Sequence, residues 1–142
     1  MSTTHNTESR VIKAPASKVW EVLRAQDFRF WSLVKCVEFS STPSDVGGIR
    51  TTMFVDGTVQ KHRLVELSEV ARSLTYEIVE SEPAAPSLSA QHTLRVFHVS
   101  TDDTAFVQWS SDYSSDSSLE TVMDAKFKKL DALAELAKAT EN

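Results

Sequence analysis

Apolar residues recur at steps of three and four along residues 117–138, the only long segment of the chain with a helical period. This periodicity predicts one amphipathic helix. Its predicted buried face consists of Leu119, Val122, Met123, Phe127, Leu130, Leu133, Ala134 and Ala137. Asp116 or Ser117 is placed to cap the first turn, and at ~1.5 Å per residue the helix spans roughly 33 Å. An apolar face of that length needs a broad partner surface.

The chain before this helix reads mainly as short strands rich in β-branched and aromatic residues. Pro15 starts a short helix that ends near residue 25, and a second short helix is predicted at residues 28–33 with Asp27 as its cap. Strands are predicted at residues 8–13, 36–39, 49–55, 58–67, 74–79, 88–99 and 104–113. Because the helices are segregated from the strands, we expect an α+β fold with an antiparallel sheet.

The composition indicates one small soluble domain. The chain has 142 residues, of which 41% are apolar, so we expect a domain at residues 9–138 with tails at 1–8 and 139–142. The polar start of the chain and the absence of a ~20-residue apolar run favour a cytoplasmic protein without a membrane span. A net charge of −5 with dispersed Lys and Arg argues against a nucleic-acid partner. Cys36 is the only cysteine, so no internal disulfide is expected.

Four short stretches resemble a known superfamily. These are Ala-Pro-Ala-Ser-Lys-Val-Trp-Glu-Val-Leu at 14–23, Val-Gly-Gly-Ile-Arg at 46–50, Arg-Leu-Val-Glu-Leu at 63–67 and Gln-Trp-Ser at 108–110. With the order of elements, they identify the chain as a member of the helix-grip superfamily (START-like, polyketide cyclase-like, SRPBCC). That group includes abscisic-acid receptors and lachrymatory-factor synthases. The resemblance implies a curved sheet of about seven strands around the long helix and two short helices after the first strand.

The resemblance also implies an internal cavity for a small hydrophobic molecule. Strand alternation then turns Arg50, Thr52, Phe54, Gln60, His62, Leu64, Leu74, Tyr76, Ile78, Leu88, Ala90, His92, Leu94, Trp109, Ser111 and Tyr113 inward. Lys35 is similar to a cavity lysine of the abscisic-acid receptors, and Arg50 to an arginine of the lachrymatory-factor synthases. His62 and Ala90 stand where those synthases have a glutamate and a tyrosine. The expected substrate-binding residues are Trp31, Lys35, Phe54, Tyr76, Ala90, Trp109, Tyr113, Met123 and Phe127.

Three residues are the expected catalytic groups. His62 and His92 would move protons as neutral imidazoles, and Arg50 would stabilise developing negative charge. His62 and Arg50 have simpler interpretations. His62 can be a half-exposed strand residue between Lys61 and Arg63, and Arg50 can belong to a surface salt bridge. Met123 and Phe127 can be plain core, and Lys35 can be a rim residue.

Other kinds of site find little support in the sequence. Two histidines without a clear inward carboxylate do not complete a zinc site. Val46-Gly47-Gly48 lacks the residues of a phosphate-binding loop, and no nucleophile-elbow pattern accompanies the many serines. The leading hypothesis is therefore a cofactor-free enzyme of secondary metabolism, monomeric or homodimeric, that promotes cyclisation, dehydration or isomerisation of a polyketide-like substrate. The alternatives are a non-catalytic carrier or sensor of a hydrophobic ligand and, more weakly, a chaperone-partner domain.

Overall fold

A computed structural model describes residues 4–85 and 89–141 of the chain. In chain order the elements are β1 (His5–Ile12), α1 (Ala16–Arg24), β2 (Val34–Phe39), β3 (Ile49–Phe54), β4 (Val59–Ser68), β5 (Ser73–Glu82), β6 (Ala90–Val99), β7 (Thr104–Tyr113) and α2 (Leu119–Thr140). The seven strands form one antiparallel sheet in the order β1-β7-β6-β5-β4-β3-β2. This architecture confirms the helix-grip fold predicted from the sequence.

The predicted long helix is present as α2, displaced by two residues. Ser118 caps it by accepting a hydrogen bond from the backbone N–H of Thr121 at 3.1 Å. At the other end the hydroxyl of Thr140 donates to the carbonyl of Leu136 at 2.8 Å. Between these ends the side chains of Val122, Ala132, Leu133, Leu136 and Ala137 are buried.

Part of the predicted buried face of α2 is exposed instead. Leu119, Met123, Phe127 and Leu130 are 39–62% exposed, and they form a stripe along one side of the helix. The apolar arc of α2 is wider than the surface that the sheet covers. Successive residues of an α-helix are rotated by 100° about its axis. This rotation places the exposed stripe next to the face that carries Leu133 and Leu136, which packs into the core. Met123 and Phe127 are therefore not core residues.

The second short helix predicted at residues 28–33 is absent. Two successive turns replace it, with hydrogen bonds from Trp31 N to Phe28 O and from Val34 N to Trp31 O, both 3.0 Å long. Phe28 has a φ of +48°, outside the helical range. Its side chain is only 3% exposed, so burial of the aromatic residues in this segment determines its path more than helical propensity does.

The first strand begins earlier than expected. β1 starts at His5 and pairs with β7 along its whole length, so residues 5–8 belong to the sheet although they were expected to form a tail. Leu88, expected at the start of a strand, lies outside the described residues, and β6 begins at Ala90. Of the helices described, none is long and apolar enough to cross a membrane.

The Asp56-Gly57 signal correctly predicted a hairpin, which joins β3 to β4. Gly57 has a φ of +93°, which residues with side chains rarely adopt. In β4 the pairing with β5 shifts register immediately before His62. The extra residue is Val79 of β5, so the alternation of side chains along β4 continues through His62. His62 is 4% exposed, so of its two possible orientations the buried one is observed.

Candidate functional site

A cavity of about 310 Å³ lies between the concave face of the sheet and the first half of α2. This volume is at the lower end of the range for small-molecule sites. Exposed residues line it on the solvent side, among them Asp56, Asp124 and Lys128. Buried and half-buried side chains of β3 to β7 and of the segment before β2 form its interior wall.

Aromatic rings form one part of this wall. The ring of Phe28 stacks on Trp109 with centroids 6.2 Å apart. Trp31 contacts Trp109 edge-on at 5.8 Å and Phe54 edge-on at 6.3 Å. All four residues line the cavity. Packed rings of this kind offer a rigid apolar surface to a flat ligand.

A single row of polar side chains crosses four neighbouring strands on the concave face. Tyr76 of β5 is opposite His92 of β6, His92 is opposite Ser111 of β7, and Ser111 is opposite Asn6 of β1. The rings of Tyr76 and His92 lie 5.0 Å apart. Nδ1 of His92 and the hydroxyl of Ser111 form a 2.5 Å hydrogen bond. Nε2 of His92 has no hydrogen-bond partner among the described residues and is free to meet a ligand.

His62 extends this row on β4, with its ring 5.1 Å from that of Tyr76. Both of its nitrogens are occupied. Nε2 lies 3.1 Å from Oε1 of Gln60, and Nδ1 lies 3.3 Å from the hydroxyl of Thr52. A tautomer that donates from Nε2 to Gln60 and accepts at Nδ1 from Thr52 satisfies both contacts. His62 is therefore held in place, whereas His92 has one nitrogen available.

The two histidines are neutral at physiological pH. Burial lowers the pKa of His92 to about 3, and the positive charges of Lys129 and Arg50 add to the effect. Burial also lowers the pKa of His62 well below its usual value, with smaller contributions from Arg50 and His92. Desolvation and nearby cations both penalise an imidazolium, so the two effects act in the same direction.

Arg50 is buried, but it is not among the residues that line the cavity. Its guanidinium carbon lies 4.5 Å from the ring centre of Tyr76 and 5.1 Å from that of Phe28, and those rings do line the cavity. One nitrogen donates to Oε1 of Gln26 at 2.7 Å, while Nε and Nη2 lack partners among the residues that the structure describes. Burial lowers the pKa of Arg50 to about 10, so it remains charged.

The structure adds a cavity residue that the predicted buried face of α2 did not include. Lys129 of α2 is 4% exposed and lines the cavity. Its Nζ donates to Oδ1 of Asn6 at 2.9 Å and lies 3.2 Å from the hydroxyl of Tyr113. Burial lowers its pKa to about 8. The sequence feature that could have identified Lys129 is its spacing. It lies seven residues after Val122 and four before Leu133, which places it on the buried face of the helix.

The expected site residues divide into two groups. Those on the cavity wall are Trp31, Phe54, His62, Tyr76, His92, Trp109 and Tyr113. Those elsewhere are Arg50, Lys35, Ala90, Met123 and Phe127. Lys35 is exposed at the point where the pairing of β2 with β3 shifts register, between Val34 and Cys36. Ala90 is buried opposite Tyr113, and its methyl group does not line the cavity.

Several solved structures resemble this chain over nearly its whole length. A protein from Nitrosospira multiformis has a TM-score of 0.84 and 28% identity, covering 97% of each chain. The protein XoxI from Bacillus cereus has a TM-score of 0.82 and 22% identity, covering 97% of this chain and 96% of its own. A protein from Bacillus thuringiensis has a TM-score of 0.80 and 20% identity, covering 95% and 97%. At these identities the two Bacillus structures show the fold alone.

No curated protein sequence matches the chain. The family model described as polyketide cyclase / dehydrase and lipid transport matches residues 3–141, almost the entire sequence. This match agrees with the gripped helix and the internal cavity. The chain therefore belongs to the polyketide cyclase / dehydrase and lipid transport family.

Proposed function

We propose that the protein binds a small, largely apolar, polyketide-like carbonyl compound in this cavity and promotes its cyclisation, dehydration or isomerisation by proton transfer. No cofactor is needed for such chemistry. The observation that carries the proposal is the row formed by Tyr76, His92 and Ser111. In it a hydroxyl donor and an imidazole line one wall of an aromatic cavity, and Ser111 holds the imidazole from behind. A purely apolar binding site needs none of these groups.

His92 is the proposed proton-transfer residue. If its Nδ1–H donates to Ser111, the lone pair of Nε2 faces the ligand and can take a proton from the carbon beside a carbonyl group. The same proton can then return to another position of the ligand or to a leaving hydroxyl group. Low pKa values keep both histidines in the unprotonated form that a base requires.

Tyr76 is the proposed partner for the negative charge that develops on the carbonyl oxygen. Burial raises the pKa of its hydroxyl, so this group stays protonated and able to donate. The guanidinium of Arg50 lies against the Tyr76 ring and contributes a positive potential behind it. A fixed donor and a fixed charge in a desolvated site stabilise an enolate without reorganisation.

A carrier of a hydrophobic ligand is the second candidate. The observation that favours it is the pKa of His92, about 3, since a base this weak removes protons slowly at neutral pH. In a carrier, the imidazoles and Tyr76 would only form hydrogen bonds with the bound molecule. The two candidates share the cavity and differ in whether a proton moves.

The exchange of α-protons of 2-tetralone in D2O, followed by NMR, separates the two candidates. For an enzyme we expect exchange above the buffer rate and a decrease of roughly 10² to 10⁴ in His92→Gln, with little change in affinity. His98→Gln is the matched control, since His98 is exposed on the same strand and bonded to Asp103. Binding without exchange establishes the carrier, and failure of 2-tetralone and of apolar dyes to bind rejects both.

A further inference from the structure

Lys129 is a buried cation without an ion-pair partner in the described part of the chain. None of the salt bridges among the described residues includes it, although it is only 4% exposed. Its contacts are the neutral side chains of Asn6 and Tyr113. An ammonium group has three N–H donors, so one remains for a ligand.

Nearby carboxylates do not neutralise this charge. Glu8 of β1 favours the ammonium form of Lys129, but it forms its ion pair with Lys126 at 3.9 Å. Asp124 lines the solvent side of the cavity and pairs with Lys128 at 2.9 Å. Burial outweighs the effect of Glu8, so the net shift in the pKa of Lys129 is downward.

A second cation strengthens the positive potential of the interior. Arg50 is 2% exposed and also has no carboxylate partner among the described ion pairs. The charges of Lys129 and Arg50 both act on His92. Within residues 4–85 and 89–141, the buried polar side-chain atoms that lack partners belong to Trp31, Arg50 and Trp109, and all are N–H donors. The interior therefore has donors and positive charge in excess over acceptors.

We propose that the ligand of this cavity is an apolar acid, whose oxyanion is bound by the ammonium of Lys129 together with the hydroxyl of Tyr113. This inference rests on the proposed binding of a small apolar molecule and defines its class further, as an aromatic or polyketide-like carboxylate or phenolate. The apolar part of the ligand packs against the rings of Trp31, Phe54 and Trp109. The oxyanion lies beside Lys129 and Tyr113, near the β1 end of the polar row, where Asn6 accepts from Lys129. The sequence motifs gave no indication of this site.

The energetic reason is the unpaired charge itself. A buried cation with only neutral hydrogen-bond partners has lost hydration without gaining a counter-ion. An oxyanion at hydrogen-bond distance supplies that counter-ion, and charge-assisted hydrogen bonds are roughly twice as strong as neutral ones. Because Coulomb interactions are stronger in the cavity than in water, a neutral ligand of the same shape binds less tightly.

A pair of fluorescent dyes tests the proposal without knowledge of the natural ligand. 8-Anilinonaphthalene-1-sulfonate and N-phenyl-1-naphthylamine have the same ring system, and only the first has an anionic group. In the wild type we expect the sulfonate to bind at least ~10-fold more tightly than the neutral dye, a difference of about 1.4 kcal/mol. Each dye should displace the other, because both occupy one cavity.

Two lysine variants locate the anion site. Lys129→Met should remove the preference for the sulfonate and leave the affinity for the neutral dye nearly unchanged. Lys138→Met is the matched control, because Lys138 is exposed on the same helix and is not among the residues that line the cavity. That variant should keep the preference. Circular dichroism shows whether each variant is folded.

The pH dependence of the wild type gives an independent measurement if Lys129→Met does not fold. Affinity for the sulfonate should decrease as the pH rises through about 8, where Lys129 loses its proton, and affinity for the neutral dye should not. The other groups near Lys129 are Glu8 of β1, His92 of β6, Tyr113 of β7 and Asp124, Lys126 and Lys128 of α2. The pKa of His92 is about 3 and that of Tyr113 is raised, so neither titrates near pH 8.

Equal affinities of the two dyes in the wild type would overturn the oxyanion site and leave the proposed cavity binding intact. A preference that persists in Lys129→Met, or is lost equally in Lys138→Met, would overturn the assignment to Lys129. If neither dye binds the wild type, the proposed function fails together with this inference.

Discussion

Nδ1 of His92 and the hydroxyl of Ser111 are 2.5 Å apart across directly paired positions of β6 and β7. Ser111 is fully buried, so no water competes for this contact. The hydrogen bond fixes which nitrogen of His92 faces Ser111 and which faces the cavity. Ser111 is therefore a positioning residue for the proposed proton transfer.

Replacement of Ser111 by alanine should impair proton transfer by releasing the His92 ring. We expect α-proton exchange of 2-tetralone to fall by about 10-fold and the protein to lose ~1 kcal/mol of stability. The nitrogen chemical shifts of His92 should also change, because its tautomer is no longer fixed, and a merely structural effect would leave them unaltered. Ser110→Ala is the control, since Ser110 bonds to Thr7 at an exposed site. Unchanged shifts in Ser111→Ala would contradict the positioning role.

Two leucines three residues apart on α2 should respond very differently to a charge. Leu133 is 1% exposed and Leu130 is 39% exposed. Leu133→Asp buries a carboxylate and should cost at least ~3 kcal/mol or prevent folding. Leu130→Asp should cost less than ~1 kcal/mol, because the new carboxylate reaches water. Urea denaturation measures both, and equal losses would mean that α2 packs through a different face.

Gln26 should be more important to stability while Arg50 is present than after Arg50 is replaced. Gln26 accepts from the guanidinium at 2.7 Å and is itself 2% exposed. Gln26→Leu leaves a buried cation with no hydrogen-bond partner and should cost ~1 to 3 kcal/mol. Adding Arg50→Met removes that charge, so the double variant should be more stable than Gln26→Leu alone. Thermal unfolding of the four proteins in the cycle tests this, and additive losses would be the contrary result.

The main elements of the fold were determined by local sequence. The periodicity of α2, the hairpin at Asp56-Gly57 and the alternation in β4 to β7 are short-range patterns, and they gave the correct fold because backbone geometry enforces periods of 3.6 and 2. The same alternation turned His62, Tyr76 and His92 inward on three neighbouring strands. A pattern of this kind identifies a face, but it does not show what covers that face.

The composition of the site was decided by tertiary packing. The sheet covers only one side of α2, so Met123 and Phe127 are exposed while Lys129, on the covered side, is buried beside the cavity. Arg50 is inward as expected, yet Phe28 and Tyr76 separate it from the cavity, because a positive φ at Phe28 directs that ring into the core. Burial then sets the charges, lowering the pKa of His92 and of Lys129. Desolvation depends on neighbours from distant parts of the chain. For that reason no local pattern could have specified these shifts in pKa.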